Sequence, residues 1–176
     1  HFKTYTTQGN LNNHIGVPLT ILSIPVDAEM AVIEMGANHA GDVTELAGFA
    51  QPTIGLVTNA GAEHLEGFGS LEAAARAEGE LFAALPTDGV AVINADDPFA
   101  GMWREMTVAR IVTFGLGSKV DFSARDIHTA TDRQGLVTRF VMHTPQGMVD
   151  IELALAGKHN VINALGAAAA AVTAGA

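Results

Sequence analysis

Four short apolar runs, each bounded by Gly, Pro, Asn or Asp, mark the first two thirds of the chain. The runs cover residues 31–35, 53–58, 89–94 and 110–114. Each run is almost continuously hydrophobic, which is typical of strands that are buried on both faces of a parallel sheet. The pattern therefore predicts a series of buried parallel strands.

Segments with helical periodicity lie between these runs, and recognisable start signals precede them. The signals are Asp42 with Glu45, Ser70, and Asp97 with Pro98. The first pair matches a capping box, serine is a preferred N-cap, and proline is well tolerated at the first helical position. The segment after Ser70 is alanine-rich and is predicted to end near residue 85. Strands that alternate with helices in this way predict right-handed crossovers and a doubly wound α/β sheet with helices on both faces.

The pattern changes after residue 120. Residues 121–130, 136–143 and 148–155 alternate more loosely and are separated by glycine-containing turns. Such segments predict an antiparallel β meander. A last helix is predicted from about Asn160 to Thr173, with Gly175 after its end. The predicted fold class is α/β: a doubly wound, mostly parallel sheet followed by an antiparallel meander.

Composition favours one folded domain. The chain has 176 residues, of which 48% are hydrophobic and 16% charged, and this length allows one substantial core. The net charge of −10 argues against a nucleic acid as partner, although loop amides and a divalent cation could still bind a nucleotide. The longest apolar stretch, residues 164–172, is too short to span a bilayer, so no membrane insertion is expected. The lack of cysteine excludes disulfides and fits a cytoplasmic protein.

Polar residues that follow the predicted strands are candidates for a site, because ligands collect at the carboxyl ends of parallel strands. Glu34 ends an apolar run, and a carboxylate there needs a partner, which is either Mg²⁺ or a structural salt bridge. His64 lies in a glycine-rich loop after the next strand, as a metal ligand or as a solvated side chain. The loop at residues 9–18 contains Asn12 and Asn13, and it either meets a nucleotide or forms an ordinary turn before a helix.

Five stretches of the chain resemble the Mur ligase family, in the same order and at similar spacing. They are GNLNNHIGVP, VIEMGANHAGDV, AEHLEGFGSLEAAARAEGELF, VINADDP and LAGKHNVINALGAAAA. The resemblance covers about residues 5–176, and its GANHAG, HLEGFGS and GxHNxxNAL motifs are specific in combination. The GNLNN and GANHAG forms favour the member that joins D-alanyl-D-alanine to UDP-N-acetylmuramoyl-tripeptide.

The resemblance implies an ATP- and Mg²⁺-dependent ligase of peptidoglycan precursor synthesis. In such an enzyme a peptide carboxylate attacks the γ-phosphate of ATP to give an acyl phosphate, which the amine of D-alanyl-D-alanine then captures. Both steps gather negative charge between phosphate oxygens, so metal ions and fixed donors supply most of the stabilisation.

The same resemblance assigns roles to individual residues. Glu34 matches the ligand of the Mg²⁺ that bridges the β- and γ-phosphates, and His64 matches a ligand of a second Mg²⁺ near the substrate carboxylate. Asn160 matches the residue that contacts adenine. The nucleotide-binding set implied by the motifs is Asn12, Asn13, His159, Asn160 and Asn163.

Glu78 stands where related ligases commonly carry a carbamylated lysine that meets the second metal. We hypothesise that Glu78 supplies this negative charge itself, directly or through water, which would make it a further catalytic and metal-binding residue. The alternative interpretation is an ordinary surface residue of the helix.

The phosphate-binding loop is a second departure from the family. Such a ligase needs a glycine-rich loop that ends in Lys-Ser/Thr, whereas the one Gly-Lys pair here, Gly157-Lys158, is followed by His159. Residues 1–176 are therefore expected to be part of a central ATP-binding domain, without its first strand, P-loop and following helix. The UDP-sugar and carboxyl-terminal domains are expected to lie outside the chain, which alone would be inactive. The alternatives are another Mur-type or folylpolyglutamate-type ligase, or a non-catalytic nucleotide-binding module.

Overall fold

Strands and helices alternate along the first two thirds of the computed structural model, which describes residues 2–61, 68–117, 119–132 and 135–176. The strands are β1 (Thr4–Thr6), β2 (Met30–Val32), β3 (Ile54–Val57), β4 (Val90–Asn94), β5 (Arg110–Phe114), β6 (Ser123–Asp132), β7 (Gly135–Thr144) and β8 (Gly147–Leu153). The helices in the described ranges are α1 (Gly16–Leu22), α2 (Asp42–Ala50), α3 (Leu71–Ala83), α4 (Ala100–Met106) and α5 (Lys158–Thr173).

Strands β3, β4 and β5 form a parallel sheet in that order. Every residue of β4 is buried, as expected for a central strand. Because side chains alternate along a strand, Val90 and Val92 enter a core with α5, whereas Ala91 and Ile93 enter a second core with α3 and α4. Helices thus cover both faces of the sheet, which confirms the predicted class.

Strands β1 and β2 form a separate parallel pair. The run at residues 31–35 predicted a longer strand buried on both faces, and this prediction was wrong, since β2 ends at Val32, whose side chain is 57% exposed. The backbone then leaves the ladder, because the Glu34 amide donates to the Thr7 hydroxyl at 2.9 Å. Within the described residues β2 does not pair with β3, so the parallel strands are divided between two sheets.

The start of α3 is the one that the sequence predicts best. Ser70 is its N-cap, and the Ser70 hydroxyl accepts a hydrogen bond from the Ala73 amide at 3.1 Å. The helix ends at Ala83, slightly before the predicted end, and Leu85 beyond it is buried.

The other two start signals act in a different way from the prediction. Gly41, with φ of 94°, is the N-cap of α2, and the Asp42 carboxylate binds amides of the preceding loop instead of capping the helix. Helix α4 begins at Ala100, so Pro98 is not its first residue. Asp97 nevertheless caps the turn that leads into α4, because its carboxylate accepts from the Phe99 amide at 2.8 Å.

The antiparallel meander and the last helix confirm the prediction for the end of the chain. Strands β6, β7 and β8 pair in chain order. Helix α5 begins two residues before the predicted start, and Gly175 follows its end with φ of 97°. Phe140 and Met142 of β7, together with Phe122 just before β6, pack into the same core as α5. Among the described residues, no helix is long and apolar enough to cross a membrane.

Candidate functional site

Glu34 lies just after the end of β2, with an exposed side chain. Its carboxylate accepts a hydrogen bond from the Asn12 side-chain amide at 2.8 Å. Its backbone amide donates to the Thr7 hydroxyl, so both the main chain and the side chain are held by the segment after β1. In the described part of the chain no Lys or Arg pairs with Glu34, so the salt-bridge alternative is not supported there.

The two asparagines of the loop before α1, Asn12 and Asn13, make different contacts. The Asn12 side-chain amide donates to Glu34, and the Asn12 backbone carbonyl accepts from the Gly36 amide at 2.8 Å. Asn13 instead orders the turn that leads into α1, because its side-chain oxygen accepts from the amides of Ile15 and Gly16 at 3.1 and 2.9 Å. The interpretation as a turn before a helix therefore holds for Asn13, while Asn12 ties this loop to the loop after β2. Contact of either residue with a phosphate stays a prediction.

The loop between β2 and α2 is also ordered by Asp42. One oxygen of its carboxylate accepts from the amides of Asn38 and His39, both at 2.9 Å. These two backbone hydrogen bonds, the Asn38 bond first, stabilise the ionised form and lower the pKa of Asp42 below its usual value. The His39 ring lies 3.7 Å from the same carboxylate. Asp42 is thus engaged in holding the loop.

Asn94 and Asp97 brace the loop after β3 from the end of β4. The Asn94 side-chain amide donates to the Thr58 carbonyl at 2.8 Å, and the Asp97 carboxylate accepts from the Ala60 amide at 2.8 Å. Both side chains are buried. Both side chains therefore have structural roles, because they hold Thr58 and Ala60 of the loop after β3.

The nucleotide motif GKHN lies at the start of α5. Asn160 donates its side-chain amide to the Ala156 carbonyl at 2.7 Å and lies 3.1 Å from the His159 ring nitrogen. Gly157 has φ of 97°, and a Cβ there would lie 2.6 Å from the His159 ring, so only glycine allows this close approach. His159 and Asn163 are exposed and share one side of the helix start. These residues form a compact polar group.

The other two predicted metal-binding residues are His64 and Glu78. His64 lies outside the described residues. Glu78 is partly buried on α3, in the same helix that follows the His64 segment. Within the described ranges no hydrogen bond joins the Glu34 group to the α5 group, and no group of three or more His, Cys, Asp or Glu side chains could hold a metal ion.

Thr7 and Glu80 are the contacts that sequence reasoning missed. Thr7 holds the Glu34 backbone, and Glu80 accepts three hydrogen bonds from the start of α2. Thr7 carries a weak signal, since it is a polar residue directly after a strand. Glu80 carries none, because it lies 36 and 39 residues from its partners.

The comparison with known proteins defines the family. The chain matches the Mur ligase middle domain over residues 1–171. It therefore belongs to the Mur ligase family, as a middle domain of that family.

Relatives with one enzyme name cover nearly the whole chain. UDP-N-acetylmuramoyl-tripeptide–D-alanyl-D-alanine ligase of Escherichia coli (strain K12) is 43% identical over 176 residues, which is 99% of the chain and 38% of that enzyme. The enzyme of the same name from Haemophilus influenzae is 41% identical over 170 residues, which is 97% of the chain and 36% of the enzyme. The chain thus spans less than two fifths of the length of these relatives.

Solved structures agree with the fold. The crystal structure of MurF from Acinetobacter baumannii is 35% identical, with a TM-score of 0.92 over 99% of the chain and 38% of that protein. MurF ligase from Thermotoga maritima, solved in complex with ADP, has a TM-score of 0.87 over 99% of the chain and 40% of that protein. At 24% identity the second likeness supports the fold alone.

Proposed function

We propose that the chain is the nucleotide-binding middle part of a longer ATP-dependent ligase that joins D-alanyl-D-alanine to UDP-N-acetylmuramoyl-tripeptide. The relatives that bear this name support the choice of substrates, since they are 43% and 41% identical over almost the whole chain. In this proposal the UDP-sugar domain, the phosphate-binding loop and the carboxyl-terminal domain belong to the longer protein, which makes peptidoglycan precursors in the cytoplasm.

One structural observation carries the chemistry of the proposal. The exposed Glu34 carboxylate at the end of β2 is oriented by Asn12, a residue of the loop that the motifs assign to the phosphates. Mg²⁺ prefers oxygen ligands and needs only one or two protein carboxylates when phosphates and waters complete its shell. A single oriented carboxylate, without a larger acidic cluster in the described residues, therefore fits a magnesium ion that arrives with ATP.

In this proposal, individual residues of the chain have separate roles in binding Mg²⁺ and the substrates. When bound, Mg²⁺ would offset negative charge on the phosphate oxygens. Glu34 would hold that ion, and Asn12 would keep the Glu34 side chain in one orientation. A neutral His64 imidazole would bind a second ion near the peptide carboxylate. These groups would hold that carboxylate near the γ-phosphate, so that the acyl phosphate forms as ADP leaves. The amine of D-alanyl-D-alanine would then attack the acyl carbon and displace phosphate, with loss of a proton, to form the amide.

The start of α5 would bind the adenine end of the nucleotide. The bond from Asn160 to the Ala156 carbonyl fixes which way the Asn160 amide points. His159 stands beside it, and Asn163 follows about one helical turn later. An oriented amide next to an aromatic ring is suited to bind a planar base by hydrogen bonds and stacking.

Glu78 would supply negative charge to the second ion in place of a carbamylated lysine. We expect Glu78→Gln in the full-length protein to lower the rate and to raise the Mg²⁺ concentration needed for half-maximal rate, because the neutral amide binds a hard cation more weakly. Steady-state kinetics over a range of Mg²⁺ concentrations measure both quantities. An unchanged rate and Mg²⁺ dependence would leave Glu78 as an ordinary helix residue.

The direct test is ADP release by the full-length protein that contains this chain. We expect turnover to require ATP, Mg²⁺, UDP-N-acetylmuramoyl-tripeptide and D-alanyl-D-alanine together, with omission of the dipeptide as the control. Turnover with a different amino-acid acceptor would instead identify another Mur-type or folylpolyglutamate-type ligase. Nucleotide binding without turnover on any acceptor would identify a non-catalytic module.

A further inference from the structure

Glu80, in the second half of α3, reaches across to the start of α2. One carboxylate oxygen accepts from the Gly41 amide at 2.7 Å, and the other accepts from the Thr44 amide and the Thr44 hydroxyl, both at 3.0 Å. Helices α2 and α3 pack side by side at this point. One side chain thus links two helices through three hydrogen bonds.

This link replaces an ordinary helix cap. The N-cap of α2 is Gly41, which has no side chain to accept from the first amides of the helix. The carboxylate of Glu80 meets these amides from another helix, and its negative charge also suits the positive end of the α2 dipole. Hydrogen bonds from amides to an ionised acceptor are about twice as strong as neutral ones. The start of α2 is therefore fixed to α3 instead of being capped locally.

The loop at residues 33–41 is held at both ends as a result. Near its start, Glu34 bonds to the Asn12 side chain and to the Thr7 hydroxyl, and the Gly36 amide donates to the Asn12 backbone carbonyl. At its end, Gly41 bonds to Glu80 of α3. The loop that carries the proposed magnesium ligand is therefore tied to the helix that follows the His64 segment and carries Glu78.

We infer that Glu80 is a positioning residue, which sets the distance between the Glu34 loop and the helix that carries Glu78. This inference rests on the proposed function, because it assigns the two sides of the link to two metal ions. Both oxygens of Glu80 accept hydrogen bonds from α2, so its carboxylate is engaged in the link between the two helices. Residues two apart on a helix point about 200° apart, so Glu80 can face α2 while Glu78 faces elsewhere.

The test is Glu80→Gln in the full-length protein. The amide keeps the size of the side chain but turns one acceptor into a donor, so it cannot meet both the Gly41 and the Thr44 amides. Outer partners of metal ligands typically change metal affinity by about 10–100-fold. Because Glu80 acts through a loop, we expect a smaller effect than this range, about a threefold to tenfold rise in the Mg²⁺ concentration for half-maximal ADP release.

Two control variants separate positioning from a loss of stability. Glu72→Gln changes an exposed carboxylate on the same helix, which pairs only loosely with Arg76 at 3.5 Å, and it should leave the Mg²⁺ dependence unchanged. Trp103→Phe removes the buried bond from the indole nitrogen to the Ala75 carbonyl on the other side of α3. It should lower the melting temperature without moving the half-maximal Mg²⁺ concentration, because a smaller folded fraction lowers only the maximal rate.

Each outcome has a definite meaning. Faster amide hydrogen exchange at Gly41 and Thr44 in Glu80→Gln, together with the shifted Mg²⁺ dependence, supports the inference. An active wild type with the same Mg²⁺ dependence in Glu80→Gln overturns the positioning role and leaves the proposed function standing. A wild type without dipeptide-dependent ADP release overturns the proposed function and, with it, this role for Glu80.

Discussion

At the scale of single residues, two carboxylates close together in sequence have different tasks because their partners differ. Glu34 accepts from a side-chain amide and remains exposed, whereas Asp42 accepts from the backbone amides of Asn38 and His39. Glu34 is therefore suited to a cation, and Asp42 is a structural residue of the loop. The sequence placed Glu34 at the end of an apolar run and Asp42 at a predicted helix start. Only the structure could show their partners, because the partners depend on how the loop folds.

The first prediction concerns the charge of Glu34. Glu34→Gln keeps an oxygen that can accept from Asn12 but removes the charge that would hold Mg²⁺. In the full-length protein we expect ADP release to fall by about 100-fold or more, as for the loss of a key electrostatic group. The melting temperature should change by no more than about 2 °C. Asp88→Asn, an exposed acid in the turn before β4, is the matched control, and equal rates for the two variants would contradict the metal role.

The second prediction concerns pH. The pKa of Asp42 is lowered in the fold from its usual value of 3.8, so its charge stabilises the fold above that value. The contribution is lost as the pH falls through the usual value and then through the lowered one. We expect the difference in unfolding free energy between wild type and Asp42→Asn to be full at about pH 5.5 and to shrink toward about pH 3. Urea unfolding at a series of pH values measures it, and a constant difference would count against this account.

At the scale of elements, the sequence predicts best where local signals decide and worst where distant contacts do. The bounds of β5 and the Ser70 cap of α3 follow from local hydrophobicity and capping preference. Strand β2 stops early because Thr7 takes the Glu34 amide, and α2 is capped by Glu80, far away in sequence. Hydrophobic periodicity carries no information about such partners, which are brought together only by the fold.

The third prediction tests the contact between α3 and α4. A Cβ on Gly79 would lie 2.7 Å from both the Met106 sulfur and the Trp103 ring, whereas a Cβ on Gly48 of α2 would meet nothing within 4 Å. Overpacking a buried contact costs about 1–3 kcal/mol, while alanine in an open helix position stabilises by about 0.5–1 kcal/mol over glycine. We expect Gly79→Ala to lower the unfolding free energy and Gly48→Ala to raise it. Urea unfolding measures both, and changes of the same sign would contradict the close approach.

At the scale of the whole molecule, the described residues form two cores on opposite faces of the sheet of β3, β4 and β5. Core one joins β4 and β5 with α5 and the meander, and core two joins β3 and β4 with α3 and α4. The sequence predicted this arrangement from its continuous apolar strands, because a strand buried on both faces must supply two cores. It could not predict that β1 and β2 form their own sheet, since periodicity does not specify which strands are neighbours.

The last prediction follows from the sharing of β4. Val92 points into core one and Ile93 into core two, so loss of packing in one core should loosen the strand that both cores need. Leu165→Ala opens a cavity beside α5 in core one and should cost about 2–5 kcal/mol. The single tryptophan, Trp103, lies in core two and reports on that core by fluorescence.

We therefore expect Leu165→Ala to lower the unfolding midpoint seen by Trp103 fluorescence as much as the midpoint seen by circular dichroism. Phe82→Leu in core two is the matched change on the other face, and it should move both signals together as well. If Leu165→Ala leaves the fluorescence midpoint in place while circular dichroism shifts, the two cores unfold independently. In that case β4 does not couple them, and the two faces of the sheet are separate cooperative units.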